Sequence, residues 1–237
     1  MSDHGFSDEE RERVKEAVHE RWQEIQPGEL SSRHTEQRRL ATEMRSVIDH
    51  LVATQAPEEA LRYAADALAR LAVEFDIYPR GRTYEGFAEA ANAGGDLAAL
   101  FDHSPLIGKA NPLAPPIEIS IEDDRVVGRV TFGAAYEGPP GCVHGGYLAA
   151  TFDEVLGGAQ SLGGRPGMTG TLTVRYRVPT PLHTPLRFEG ELDRVEGRKN
   201  FTVGRCYAGD VVTAEAEGIF IAVDLAKMEA LKAARDG

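Results

Sequence analysis

The stretch GCVHGGYLAATFDEVLGG, residues 141–158, sets two adjacent acids, Asp153 and Glu154, among glycine, alanine and large apolar side chains. Such a carboxylate is either the wet side of an amphipathic helix or an acid held dry for chemistry. The helical neighbours of Asp153 at three and four positions are Ala149, Ala150, Leu156 and Gly157, none of which can pair with it. Burial without a counter-ion raises a carboxylate's pKa and makes it a better base near neutral pH. At the head of the same stretch, Gly145 and Gly146 follow His144. Amides in the first turn of a helix lack internal acceptors and carry the positive end of its dipole, so both glycines can offer N–H groups to a developing negative oxygen. Gly145 is the expected oxyanion donor; the plainer reading of the pair is a tight turn into the helix. His144 can donate to a carbonyl oxygen or orient the loop. Cys142 and His144 invite a thiol nucleophile, but such close positions on a turn seldom face each other and no third group orients them. Thr169 opens the next strand, where its hydroxyl can hold an attacking water or simply favour β structure.

Distance decides how these groups combine. Asp153 lies eight residues after Gly145, and at about 1.5 Å of rise per residue the two stand roughly 12 Å apart on one helix. No ester or thioester carbonyl spans that gap. If both act on one substrate, the acid must come from a second copy of the chain, and the site lies across a two-fold interface.

The elements that must hold these residues differ between the two halves of the chain. From Ser7 to about Phe101 apolar residues recur at helical spacing, with a Ser7/Glu10 capping box and a stripe of Leu61, Ala64, Ala65, Leu68 and Leu71. Four or so helices are expected, broken at Pro27-Gly28, Pro57 and Pro79-Arg80-Gly81. The proline-rich SPLIGKANPLAPP, 104–116, marks a boundary between a helical region over 1–110 and a second domain over 111–237. Beyond it the period becomes two. In TLTVRYRV, Leu172, Val174, Tyr176 and Val178 share one side and Thr171, Thr173, Arg175 and Arg177 the other. The period recurs at 125–132, 186–195, 200–208 and 211–223, interrupted only by the helical stretch 145–162. An α+β fold is expected, one helix wrapped by a curved antiparallel sheet.

The composition narrows the function. At 237 residues and 42% hydrophobic content the chain can bury a substantial core. A formal net charge of -12 disfavours nucleic acid. Two cysteines make no disulfide framework, no Cys/His cluster has zinc spacing, and the charged first residues lack an apolar signal region. No run reaches the roughly 18 apolar residues of a membrane span. A cytoplasmic protein with no metal, no cofactor and no membrane insertion is the expectation. No G-x-S-x-G, P-loop or G-x-G-x-x-G occurs.

HGGYLAATFDEVLGG, MTGTLTVRYRVPTPL and RVEGRKNF together resemble the hotdog-fold acyl-CoA thioesterases of the PaaI-like type, over about 117–224. The resemblance implies a sheet wrapped around a long helix, two subunits sharing one continuous sheet, and paired sites between them in a homodimer or dimer of dimers. It assigns Gly145 as oxyanion donor, Asp153 as catalytic acid, Thr169 as the residue that orients water and His144 as the motif histidine. For an acyl-CoA substrate, Arg198 and Lys199 in the EGRKN turn could meet phosphate groups, with Gly146 also lining the site. One departure stands out, since several relatives carry a polar side chain about six residues before the histidine and here that position is Gly138. The readings that compete are a hotdog hydratase or dehydratase on acyl thioesters, and a non-catalytic acyl-CoA-binding protein.

Overall fold

A computed structural model describes residues 32–78, 102–115, 117–163 and 167–222. Two helices come first, α1 over Ser32–Ala53 and α2 over Glu58–Asp76, with Pro57 at the N-cap of α2 where a break is expected. The Ser7/Glu10 box and the breaks at Pro27 and Pro79 lie outside the described residues. Six strands follow: β1 Glu118–Glu122, β2 Arg125–Thr131, β3 Gly167–Tyr176, β4 Pro185–Glu196, β5 Lys199–Ala208 and β6 Val211–Ala222. Helix α3, Gly145–Ser161, lies between β2 and β3 in the chain. The strands form one sheet in the order β1-β2-β4-β5-β6-β3, every pairing antiparallel, which leaves β1 and β3 at its edges. The short strand β1 has no counterpart in the alternation expected from the sequence.

The sheet curves around α3 because its middle is built from small residues. Val126, Gly190, Gly204, Ala216 and Val174 form one row across β2, β4, β5, β6 and β3. Into this trough α3 lowers Phe152, Val155 and Leu156, all 0% exposed. A Cβ on Gly190 would meet Val155 at 2.8 Å, and one on Gly204 would meet Leu156 at 3.0 Å, so no larger side chain fits without moving the helix. Phe188 stacks edge-on against Phe152 at 5.1 Å and Phe132 and Phe220 complete the core. The far end of α3 is fixed by polar contacts, Asn200 Nδ2 donating to Gln160 Oε1 at 2.8 Å and Gln160 Nε2 to Ser161 Oγ at 3.0 Å.

The proline-rich segment is a series of turns tied to α1. Arg38 grips the buried carboxylate of Asp102 with Nε and Nη2, at 2.7 to 3.0 Å, and Arg45 donates to the carbonyls of Asn111 and Lys109. Asp49 near the end of α1 accepts from the Ala135 amide at 3.2 Å, in the 3-10 turn Ala134–Tyr136. Helix α2 has the expected apolar stripe but buries none of its residues.

Candidate active site

The approach to α3 is built almost wholly from backbone. The 3-10 turn passes its chain to 137–144, where Tyr136 O accepts from the His144 amide at 2.9 Å and Thr180 O accepts from the Val143 amide at 2.9 Å. A tight reversal at Gly141, φ 71, is held by its amide donating to Glu137 Oε1 at 2.6 Å. His144 then takes the N-cap position with extended φ and ψ of -61 and 129. Its Nδ1 accepts from the Gly146 amide at 3.0 Å. In that hydrogen bond the neutral ring carries its proton on Nε2, which remains able to donate.

This cap corrects one expectation. Gly146 cannot present a bare N–H, because the histidine just before the helix occupies it. The Gly145 amide, by contrast, has no acceptor among the described residues. Its carbonyl is engaged, accepting from the Tyr176 hydroxyl at 2.8 Å. Gly138 runs so close to the cap that a Cβ there would stand 2.8 Å from His144 Cα, so no polar side chain at 138 could share this turn without rearranging it. Beside Gly145 opens a largely apolar cavity of about 400 Å³, lined among others by Leu148, Val143, Tyr176 and Cys142.

At the other end of the site, α3 carries Asp153 half-buried on the side turned to β3. Thr169 Oγ1 donates to Asp153 Oδ1 at 2.7 Å, within one chain. Strict alternation would point Thr169 outward with Thr171, Thr173 and Arg175. The register instead slips between Thr169 and Thr171, leaving Gly170 as a bulge, and Thr169 pairs with the core residue Phe220. The bulge turns the threonine hydroxyl onto the helix. A glycine inside an otherwise regular strand is the one sequence signal for it.

Glu154 is a feature that sequence reasoning left without a role. It is half-buried, and burial, with the neighbouring charge of Asp153 adding to it, pushes its carboxyl up to about 7. Arg198 Nη2 donates to Ala222 O at 3.1 Å, while Lys199 pairs in register with Ile221, opposite Met168. The EGRKN turn therefore sits at the Thr169 end of the sheet. Cys206 is buried, which raises its thiol to about 11 and leaves it protonated at neutral pH. On the outer face of the sheet a groove of about 300 Å³ is lined by four arginines and four glutamates. Arg175 with Glu217, Arg177 with Glu215, and Arg125 with Glu189 and Glu191 pair across it, so its charges compensate one another. Among the described residues no group of three His, Cys, Asp or Glu could hold a metal ion, and no helix is long and apolar enough to cross a membrane.

No protein-family model matches the chain. Among curated proteins it is 39% identical over 92 residues to the acyl-coenzyme A thioesterase THEM4 of Xenopus laevis, covering 38% of this chain and 41% of that protein. It is 33% identical over 95 residues to the acyl-coenzyme A thioesterase THEM5 of Homo sapiens, covering 39% of this chain and 38% of that protein. The chain thus spans less than half the length of these curated relatives. Among solved structures, a thioesterase superfamily protein is 36% identical, with a TM-score of 0.69 over 78% of this chain and 94% of that one. That likeness reaches beyond residues 117–222 into the region before the sheet. With identity and coverage of that order on a helix cradled by an antiparallel sheet, the chain belongs to the thioesterase superfamily and has its hotdog fold.

Proposed function

We propose that this protein is an acyl-CoA thioesterase whose site is completed by two subunits. The observation that carries the reading is the division of the site within one chain: an uncommitted Gly145 amide at the head of α3, and the Asp153–Thr169 pair at 2.7 Å about 12 Å further along it. Strand β3 links the two, with Tyr176 at the Gly145 end and Thr169 at the Asp153 end. On its outer side β3 has no partner strand among the described residues. A long open edge of this kind pairs readily with another strand. Pairing β3 with its own copy about a two-fold axis reverses the strand, which brings the Gly145 end of one protomer to the Asp153 end of the other. The curated relatives named as acyl-coenzyme A thioesterases support the substrate class.

In this site the thioester carbonyl oxygen lies on the Gly145 amide, and the helix dipole stabilises the charge that develops there. A water molecule donates a hydrogen bond to Thr169 Oγ1, which keeps its own proton and donates a hydrogen bond to Asp153 Oδ1, while the second carboxylate oxygen of Asp153 takes one proton from the same water. The water oxygen adds to the carbonyl carbon and the electron pair moves to the oxygen on Gly145. Collapse of this tetrahedral species breaks the C–S bond, the pair leaves with sulfur as CoA thiolate, and the proton on Asp153 is released to the thiolate or to solvent. A thiolate is a far better leaving group than an alkoxide and departs without a strong general acid. Direct attack by Asp153 on the carbonyl, through an anhydride, balances equally well.

The test is release of free thiol from a panel of acyl-CoAs by the native chain and by Asp153→Asn. The expected loss in kcat is at least about 10³-fold with a much smaller change in KM, since the lost group acts on the transition state. Absence of thiol release by the native protein across the panel, with tight acyl-CoA binding retained, would instead identify a sensor, and hydration of crotonyl-CoA without thiol release a hydratase.

A further inference from the structure

The Gly145–Gly146 peptide group is gripped at both of its polar atoms. Its N–H, belonging to Gly146, donates to His144 Nδ1 at 3.0 Å, and its C=O, belonging to Gly145, accepts from the Tyr176 hydroxyl at 2.8 Å. Tyr176 comes from the end of β3, and by alternation its ring lies on the inner side with Leu172 and Val174. Unlike them it fills no core, being 54% exposed. Its ring instead rests against Gly145, where an added Cβ would stand 3.2 Å from both Cζ and the hydroxyl oxygen. Any larger residue at this position would crowd the tyrosine, whose side chain would have to give by a few tenths of an ångström.

We propose that Tyr176 is a positioning residue for the oxyanion amide: its hydroxyl and ring hold the first peptide of α3 so that the Gly145 N–H, and no other, faces the cavity beside it. A peptide plane fixed by one hydrogen bond can still rotate about its anchor, whereas two bonds at opposite atoms remove that freedom. The Gly145 N–H lies in the preceding plane, whose His144 carbonyl accepts from the Tyr147 amide at 2.9 Å, so holding the following plane as well fixes the φ and ψ of Gly145 between two anchored peptides. An amide aimed before the reaction costs nothing to reorganise as charge develops, which is where such donors derive their effect. Nothing in the core depends on the hydroxyl, so its loss is felt in aim rather than in folding.

The inference rests on the thioesterase reading, and two measurements on the full chain separate the failure of one from the failure of the other. With a hydrolysed acyl-CoA, Tyr176→Phe is expected to lower kcat by roughly 5- to 30-fold, less than loss of a donor itself. KM and the affinity for a non-hydrolysable thioether analogue of acyl-CoA stay within about twofold, and the melting temperature within about 2 °C. A kcat equal to that of the native chain, or a loss of kcat accompanied by matching losses in analogue affinity and melting temperature, overturns it. The second measurement needs no turnover. In a ¹⁵N-labelled chain, Tyr176→Phe should displace the Gly145 and Gly146 amide signals and speed Gly146 hydrogen exchange by about tenfold. Unchanged signals and exchange in both residues would sink the positioning role even if the chain hydrolyses no thioester.

Discussion

The two ends of α3 are constructed by opposite means. The amide end is main chain held largely by main chain, through Tyr136 O to His144 N and Thr180 O to Val143 N, with one imidazole, one phenol and the Glu137 carboxylate at the Gly141 reversal closing it. The acid end consists of two side chains, Asp153 and Thr169, brought together by a single bulge at Gly170. A site half made of backbone is indifferent to most side chains and sensitive only where a Cβ or a missing N–H intrudes. A site half made of side chains fails when either is altered. This contrast sets what each substitution should do.

The sharpest way to break it deletes one function from each end. Gly145 occupies the first helical position, where proline is well accommodated, and the preceding His144 already has the extended angles that proline requires of its neighbour. Gly145→Pro thus removes the N–H with little change of backbone, and alone it should lower kcat by about 10² to 10³-fold. Its ring adds a Cβ in tight contact with Tyr176, which must yield by a few tenths of an ångström. Co-expression of Gly145→Pro and Asp153→Asn chains in equal amounts should then restore about one quarter of native activity. Half of the dimers are mixed, and each has one site with both lesions and one with neither. Mixtures no more active than the two single variants would place the amide and the acid in the same protomer's site and end the shared-site proposal.

Much of this arrangement was legible in the chain. The stretch 145–162 reads as a helix interrupting period-two strands, and alternation in TLTVRYRV correctly sets Leu172 and Val174 inward and Arg175 outward. The roughly 12 Å between Gly145 and Asp153 follows from helix rise alone. What was not legible depends on contacts between distant segments. The capture of the Gly146 amide by His144 is a matter of rotamer, the grip of Tyr176 on Gly145 joins residues 31 positions apart, and the face of Thr169 depends on a register slip that period-two counting cannot register. Strand β1 escaped because EISIE is too short to show a period against its charged neighbours.

A smaller effect is expected at Thr169, where the acid end can be weakened without removing its charge. Thr169→Ser keeps a hydroxyl that can donate to Asp153 and accept from water, and should retain kcat within about threefold. Thr169→Ala removes both hydrogen bonds and should cost about 10- to 100-fold in kcat with KM little changed. The two variants share the loss of a β-branch, so the comparison isolates the hydroxyl. Equal rates in both would mean that Asp153 needs no orienting partner, and steady-state thiol release measures this directly.

The smallest expected effect concerns stability, at the acid beside the acid. Glu154 has a folded-state pKa of about 7 against an ordinary value of 4.5, because burial, and then the Asp153 charge, disfavours its ionised form. Between those two values the folded chain retains a proton that the unfolded chain has given up, so stability falls as pH rises through this interval. The contribution is intact below about pH 4.5 and gone by about pH 7 to 8. Glu154→Gln supplies an uncharged side chain of the same shape and escapes the penalty. Urea unfolding should therefore find variant and native chain equally stable near pH 4.5, with the variant gaining up to about 3 kcal/mol at pH 8. Partial exposure of the carboxylate makes the measured gain smaller than that bound. A difference between variant and native chain that stays constant from pH 4.5 to 8 would show that Glu154 ionises as freely in the folded chain as in the unfolded one.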